Sequence, residues 1–384
     1  MKSSAGLAVA TWDALLGLLV CTPLVVAHWR AIWFLLDWFV LPERPLLSGW
    51  LCCVIGHALV LAAHLAQHAL DSIGDDEATL ANVKVQPQQQ RRRPLQRPWR
   101  EFAGRFYTPL LSVATIAQWR GVWLLHDLYL IDAGPLPSAL VSLVFGCLGL
   151  ALTGALKTMS ASPPFAVGSD VPWAYFDAPT RLGRRPDREG GWTWFTVDCM
   201  LTVIVMHTLL VSGWRGLWAL LDVLRRSPMA SLVSGTTATV LLMVTQAPAG
   251  FLWRRLGGET KAPKNMLDSE AGVSKVILEE EFRPSKNASR GLSWVQRLFE
   301  ELWHLAAAYA CVSVWRGIWM LIDEWLQDDV TAFALLAIGS LLLLQSLYAA
   351  NNVLTRGVSV DGHGVAFDVA FFAELLTAPS SGLS

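Results

Sequence analysis

The chain has 384 residues, of which 53% are hydrophobic, only 16% are charged and 19 are tryptophans. Soluble domains carry about 25% charged residues, so this composition excludes an ordinary soluble domain. The net charge of -1 argues against a nucleic-acid partner, because binding to phosphates requires a strongly basic surface. Long apolar runs at 46–66 and 330–350 are each able to cross a bilayer. The chain is therefore predicted to be a polytopic membrane protein in contact with membrane lipid.

A nine-residue motif occurs four times, and each copy ends a long apolar segment. The first copy, WRAIWFLLD, spans 29–37, and the copies WRGVWLLHD, WRGLWALLD and WRGIWMLID begin at 119, 214 and 315. A short turn and a second apolar segment follow every copy. This internal repeat predicts an all-α bundle of eight transmembrane helices, built from four tandem helix hairpins around an axis along the membrane normal. The predicted spans are 8–41, 46–69, 102–131, 136–159, 192–225, 229–253, 295–326 and 330–354.

Polar segments separate the predicted hairpins and indicate the orientation of the chain. Their composition is typical of mobile linkers without a core of their own. The three segments between hairpins hold eighteen lysines and arginines, whereas the four hairpin turns hold three. By the positive-inside rule, the linkers and both termini are predicted to be cytoplasmic. The predicted units are hairpins at 1–69, 102–159, 192–253 and 295–354, linkers at 70–101, 160–191 and 254–294, and a tail at 355–384.

The motif places its tryptophans, arginine and aspartate on one helix face, with a small residue opposite. An arginine in the centre of a span costs roughly 2.5 to 3.5 kcal/mol, so this face is predicted to look inward. The small residue is predicted to let a neighbouring helix approach closely. The arginine and aspartate of one copy are two helical turns apart, so an aspartate of an adjacent unit is at least as plausible a partner. The motif residues are Trp29, Arg30, Trp33, Asp37, Trp119, Arg120, Gly121, Trp123, Asp127, Trp214, Arg215, Gly216, Trp218, Asp222, Trp315, Arg316, Gly317, Trp319 and Asp323.

Two interpretations of the motif remain open at this stage. In the first, the tryptophan, arginine and aspartate side chains join four related units to one another. In the second, the arginines line a path or site for an anion or a lipid headgroup. The sequence establishes that the repeat exists and leaves its role undecided.

Other residue patterns give little sign of catalysis, a cofactor or a metal site. No GxSxG, HExxH or phosphate-binding loop is present in the sequence, so the chain is predicted not to be an enzyme. Six cysteines lie in apolar runs and are interpreted as small apolar packing residues. His57, His64 and His68 share one stripe of the second span, but the other repeats lack them. Helix packing is therefore favoured over metal binding for these histidines.

The eight predicted spans and the fourfold W-R-[Gly/Ala]-x-W-x-L-x-D pattern resemble the Fuseless family of invertebrate membrane proteins. The resemblance covers most of 8–354. It implies a presynaptic membrane protein needed for neurotransmitter release, which places voltage-gated calcium channels at release sites. The implied partners are a voltage-gated calcium channel or presynaptic scaffold proteins. The alternative from the residues themselves is a channel or transporter for an anionic solute or lipid.

Overall fold

The computed structural model describes residues 12–72, 96–130, 134–170, 176, 178–184, 186, 191–224, 227–255, 294–354, 358–359, 361 and 368–369. These residues form eight long helices, two short 3₁₀ helices and one pair of two-residue parallel strands. The long helices are α1 Trp12–Phe39, α2 Pro45–Ser72, α3 Gln96–Tyr129, α4 Pro135–Leu152, α5 Gly191–Val223, α6 Pro228–Arg255, α7 Trp294–Leu326 and α8 Val330–Ser346. The 3₁₀ helices are Leu156–Ser160 and Ala350–Val353, and the strands are β1 Ala166–Val167 and β2 Asp368–Val369.

The helices form an inner ring and an outer layer. The motif helices α1, α3, α5 and α7 surround a central axis, and each contacts the next, with α7 returning to α1. Each remaining helix packs on the outside of one motif helix: α2 on α3, α4 on α5, α6 on α7 and α8 on α1. The closest helix pairs therefore join one predicted unit to the following one. Two helices that are consecutive across a predicted hairpin turn, such as α1 and α2, make few contacts.

Three inner helices depart from regular α-helix at similar heights. Gly17–Cys21 in α1 and Leu201–Met206 in α5 are π-helical stretches. In α3, Pro109 stands inside the helix at the corresponding distance before the motif. A π-helical turn accommodates an extra residue and rotates the following helical face.

The surface of the outer helices is apolar. Leu51, Val54 and Ile55 of α2, and Leu140 and Val144 of α4, are all exposed. A soluble monomer rarely exposes apolar side chains in such continuous patches, whereas lipid covers them in a membrane. This surface agrees with the predicted membrane class.

Six of the helices are long and apolar enough to cross a membrane, namely α1, α2, α4, α5, α6 and α7. The sequence predicted eight such spans. α8 is apolar but has only 17 residues. α3 is long enough, but Thr108, Ser112, Thr115 and Gln118 are buried along its inward face and lower its mean hydropathy. Together with charged residues in its first turns, such as Arg100, Glu101 and Arg105, this interior polarity makes α3 the least apolar of the long helices.

The segment after α4 is not the coreless linker that its composition predicted. Phe165 and Val167 are buried in the main core beside Met159. Asp361 accepts hydrogen bonds from the backbone N–H groups of Leu156 and Lys157, at 2.9 and 2.8 Å. This segment packs because its apolar side chains cover the ends of the inner helices. Most of the predicted linkers 70–101 and 254–294 and of the predicted tail 355–384 lies outside the described residues.

Candidate functional site

The four motif arginines and four motif aspartates form a closed ring of ion pairs. Arg120 Nε is 2.7 Å from Asp37 Oδ1, and Arg215 Nη2 is 2.9 Å from Asp127 Oδ1. Each arginine therefore contacts the aspartate of the preceding copy of the motif. The two remaining pairs are Arg316 with Asp222, at 2.6 Å, and Arg30 with Asp323.

The pair between Arg30 and Asp323 joins the first motif helix to the last. Because the same pairing runs from copy to copy and then closes, the ring has pseudo-fourfold symmetry. The sequence left open whether each arginine pairs within its own unit or with a neighbour. In the structure, all four pairs join different units.

The two sides of each ion pair differ in burial. The side chains of Arg120, Arg215 and Arg316 are only 3 to 7% exposed, and that of Arg30 is 12% exposed. The aspartate side chains are 38 to 51% exposed. The expectation that the arginines avoid lipid is confirmed. Each arginine depends on its aspartate for charge compensation, whereas the aspartate lies near the end of its helix and keeps access to solvent.

Outer helices supply a second set of acceptors that the sequence analysis missed. Arg215 Nη1 donates to Ser142 Oγ at 2.8 Å, and Arg316 Nη1 donates to Ser231 Oγ at 2.6 Å. Arg120 Nη1 donates to Ser48 Oγ at 3.0 Å and contacts Cys52 Sγ at 3.2 Å. These contacts satisfy guanidinium N–H groups that point away from the aspartate.

A sequence signal for these acceptors exists in hindsight. Cys52, Ser142 and Ser231 each precede a glycine by four residues, which is one helical turn. The glycines, Gly56, Gly146 and Gly235, lie against the residue that precedes a motif tryptophan. The outer helices α2, α4 and α6 thus each carry a small polar residue one turn before a buried glycine. The outer helix α8 does not follow this pattern.

The first arginine has a different environment. Phe333 of α8 lies beneath Arg30, with its ring centroid 5.0 Å from Cζ. The guanidinium also lies 5.2 Å from the Trp319 ring and 5.4 Å from the Phe34 ring. These distances are within the range of cation–π attraction. Aromatic faces here take the place that hydroxyl or thiol groups hold around the other three arginines.

The eight motif tryptophans form two square layers around the axis. In the deeper layer, neighbouring ring centroids are 5.1 to 5.6 Å apart and their planes cross at 79 to 84°. In the layer nearer the helix ends, the spacing is 5.5 to 5.8 Å and the planes cross at 80 to 88°. Edge-to-face contact of this kind is the preferred arrangement of aromatic pairs. The deeper layer is Trp29, Trp119, Trp214 and Trp315, and the other is Trp33, Trp123, Trp218 and Trp319.

The two layers enclose a cavity of about 190 Å³, which all eight indoles and Ser162 line. Backbone carbonyls accept from three indoles of the deeper layer: Nε1 of Trp29 donates to Val353 O, that of Trp214 to Met159 O and that of Trp315 to Pro163 O. The segments that carry these carbonyls follow the outer helices α4 and α8. They close the deeper end of the cavity. The second layer is only half-buried and faces the helix ends that carry the aspartates.

Motif glycines permit the close contact between inner and outer helices that the sequence predicted. A Cβ atom on Gly121 would lie 2.2 Å from the backbone nitrogen of Cys53, and one on Gly216 would lie 2.3 Å from that of Leu143. On Gly317, it would lie 2.7 Å from the Leu232 backbone nitrogen. In the first copy of the motif, the equivalent residue is Ala31, which packs in an apolar cluster with Ala337 of α8.

The histidine stripe of α2 faces α5 and the residues around it. His57 and His64 each donate Nδ1–H to the carbonyl one turn earlier, at 2.7 and 2.9 Å. The His68 ring packs edge-on against Phe195. Among the described residues, no group of three or more histidine, cysteine or acidic side chains could hold a metal ion. The contacts that these histidines do make are those of helix packing.

Comparison with known proteins gives one match. The sequence model of the Fuseless family matches residues 8–264 and 272–354. No curated protein and no solved structure matches the chain.

Proposed function

Because the chain belongs to the Fuseless family, we propose that it is a presynaptic membrane protein that organises voltage-gated calcium channels for neurotransmitter release. The family match over most of the chain carries this proposal. The apolar helices agree with a multi-pass membrane protein. The proposed partners are a calcium channel or presynaptic scaffold proteins, and the proposed role is not enzymatic.

We further propose that the chain crosses the plasma membrane eight times, as four tandem hairpins with both termini in the cytoplasm. α3 and α8 would complete the six spans already identified by length and composition. Their places support this topology, because α3 is an inner helix equivalent to α1, α5 and α7, and α8 covers α1 as α2 covers α3.

This topology predicts that the linkers between hairpins lie on the cytoplasmic side of the membrane and that the hairpin turns lie on the extracellular side. Tags inserted within 73–95 or 256–293 should be protected in intact cells and stained only after permeabilisation. A tag in the 41–45 turn should be stained without permeabilisation. Insertion within 160–170 is avoided because that segment is packed in the core. Opposite accessibility of the two linker tags would contradict the four-hairpin plan.

Organisation of calcium channels is tested in neurons that lack the protein. Restoring the full chain should return calcium-channel density at release sites, and evoked release with it. Normal channel density in the neurons without the protein would contradict the proposal.

The alternative function, conduction of an anionic solute or lipid, has less support. Every motif arginine contacts an aspartate, so the ring adds little net positive charge with which to attract an anion. Tryptophans, and not arginines, line the axial cavity. Patch-clamp recording of cells that express the chain should therefore find no anion current. A reproducible anion current that disappears in an Arg215→Gln variant with normal surface expression would favour conduction.

A further inference from the structure

The half of each inner helix that precedes its motif carries exposed apolar side chains. One such position recurs in all four units, 17 residues before the first tryptophan of the motif. The side chain there is large, apolar and exposed in every unit. In a membrane, lipid covers apolar surface of this kind, so the inner helices also contact lipid. The four residues are Trp12, Phe102, Val197 and Leu298.

On α3, the exposed apolar surface continues along one face of the helix. Phe102, Phe106, Leu110 and Val113 are all exposed, and their spacing of three or four residues places them on the same face. We call these four residues the α3 stripe. The rings of Phe102 and Phe106 pack against each other, with centroids 4.7 Å apart. The stripe extends about 16 Å along the helix, about half of the roughly 30 Å thickness of the hydrocarbon core, and so matches the depth of one leaflet.

The α3 stripe lies between two neighbouring helices. α2 packs on another face of α3, where its Gly56 lies against the backbone of Gln118. At the end of α8, Gln345 Nε2 donates to Arg105 O at 3.0 Å. α2 and the end of α8 therefore border the stripe without covering it.

A cation stands at the edge of the α3 stripe. Arg105 is exposed, and its Cζ lies 5.5 Å from the centroid of the Tyr348 ring, within the range of cation–π attraction. A guanidinium over a ring keeps its N–H groups at its edge, where two of them are able to donate parallel hydrogen bonds to one phosphate. The equivalent residues of the other units are Leu15, Met200 and Glu301. Only α3 therefore has a cation at this position.

We propose that an anionic phospholipid binds at this surface, with an acyl chain along the α3 stripe and its headgroup phosphate on Arg105. The long arginine side chain is able to reach the headgroups from a backbone position inside the apolar layer. Tyrosine is enriched at the level of the headgroups, so Tyr348 fits the same depth. This end of α3 is cytoplasmic in the topology proposed above, and anionic lipids are concentrated in the cytoplasmic leaflet. The choice of leaflet rests on that topology, whereas binding of the lipid does not depend on the presynaptic role.

Native mass spectrometry of the purified full chain tests the proposal. The chain is released from nanodiscs that hold equal amounts of phosphatidylglycerol and phosphatidylcholine with identical acyl chains, and the lipids that it retains are identified by mass. One arginine near an anionic headgroup contributes about 1 kcal/mol, so we expect about fivefold more phosphatidylglycerol than phosphatidylcholine in the chain with one bound lipid. Equal retention of the two lipids would overturn the proposal.

Substitutions of exposed arginines test the position of the headgroup. Arg105→Gln should bring the ratio of the two retained lipids close to one, whereas Arg105→Lys keeps the charge and should keep most of the preference. Arg184→Gln is the matched control, because Arg184 is also exposed and lies near the start of α5, where its backbone N–H donates to Asp198. This control should leave the ratio unchanged. An equal fall in Arg184→Gln and Arg105→Gln would indicate a general effect of positive charge and would contradict a site at Arg105.

A photoreactive side chain tests the position of the acyl chain, with Arg105 left in place. Phe102→benzoylphenylalanine should crosslink phosphatidylglycerol about fivefold more than phosphatidylcholine. Val197→benzoylphenylalanine, at the equivalent position of α5, should crosslink the two lipids equally, because Met200 stands there in place of the arginine. Lack of a preference at Phe102, or the same preference at Val197, would contradict the proposed site.

Discussion

Leucine at position 121 should separate α2 from α3 and prevent assembly of the bundle. Even the Cβ atom of such a side chain would lie 2.2 Å from the backbone nitrogen of Cys53, and backbone cannot move aside as a flexible side chain can. Overpacking of a core costs about 1 to 3 kcal/mol and occasionally more, so we expect about 3 kcal/mol or more for Gly121→Leu. Surface expression and melting temperature in detergent measure the effect.

Gly339 provides the matched control for this substitution. It also lies within a helix, but a Cβ atom there would have no neighbour within 4 Å. Gly339→Ala should therefore be neutral or stabilise by about 0.5 to 1 kcal/mol through helix propensity. Equal loss of expression in Gly339→Ala and Gly121→Leu would contradict the close-packing explanation.

Removal of Asp222 should be more harmful than removal of its partner Arg316. The Arg316 side chain is 3% exposed and that of Asp222 is 51% exposed. Asp222→Leu leaves a buried guanidinium without its carboxylate, which typically costs about 3 to 5 kcal/mol. Arg316→Leu leaves a carboxylate that reaches solvent, so its cost is smaller. Melting temperatures of the purified single variants provide the measurement.

The double variant Arg316→Leu, Asp222→Leu should recover part of the stability lost in Asp222→Leu alone, because no uncompensated charge remains. Leu in place of Glu324, an exposed acid outside the ion-pair ring, is the control and should have little effect. Additive losses in the double variant would mean that the two residues do not interact.

The sequence predicted the helical class and the motif residues because both follow from short-range patterns. Apolar runs indicate helices in a membrane, and the repeat shows which residues recur. The spacing within each copy of the motif then places its arginine and aspartate, such as Arg120 and Asp127, on one face of the helix. The cost of an arginine in lipid predicted its inward direction. These inferences need only one helix at a time.

The pairing between units could not be derived in this way. Whether Arg120 contacts Asp37 or Asp127 depends on how two helices are placed, and both pairings satisfy the same local rules. The serine acceptors were missed for the same reason, since Ser142 and Ser231 lie on outer helices with no arginine near them in sequence. Composition also predicted a coreless linker around Phe165, which is buried because the open end of the helix ring provides an apolar surface.

Closure of the ring between the first and last units is the central claim, and a pair of double-mutant cycles tests it most directly. Arg30 should couple to Asp323, which it contacts, and not to Asp37 of its own motif, which contacts Arg120. The cycles use Arg30→Leu combined with Asp323→Leu or with Asp37→Leu, with melting temperature of the full chain as the readout. We predict a coupling free energy of about 1 kcal/mol or more with Asp323 and close to zero with Asp37. Coupling of Arg30 to Asp37 and none to Asp323 would contradict the closed ring.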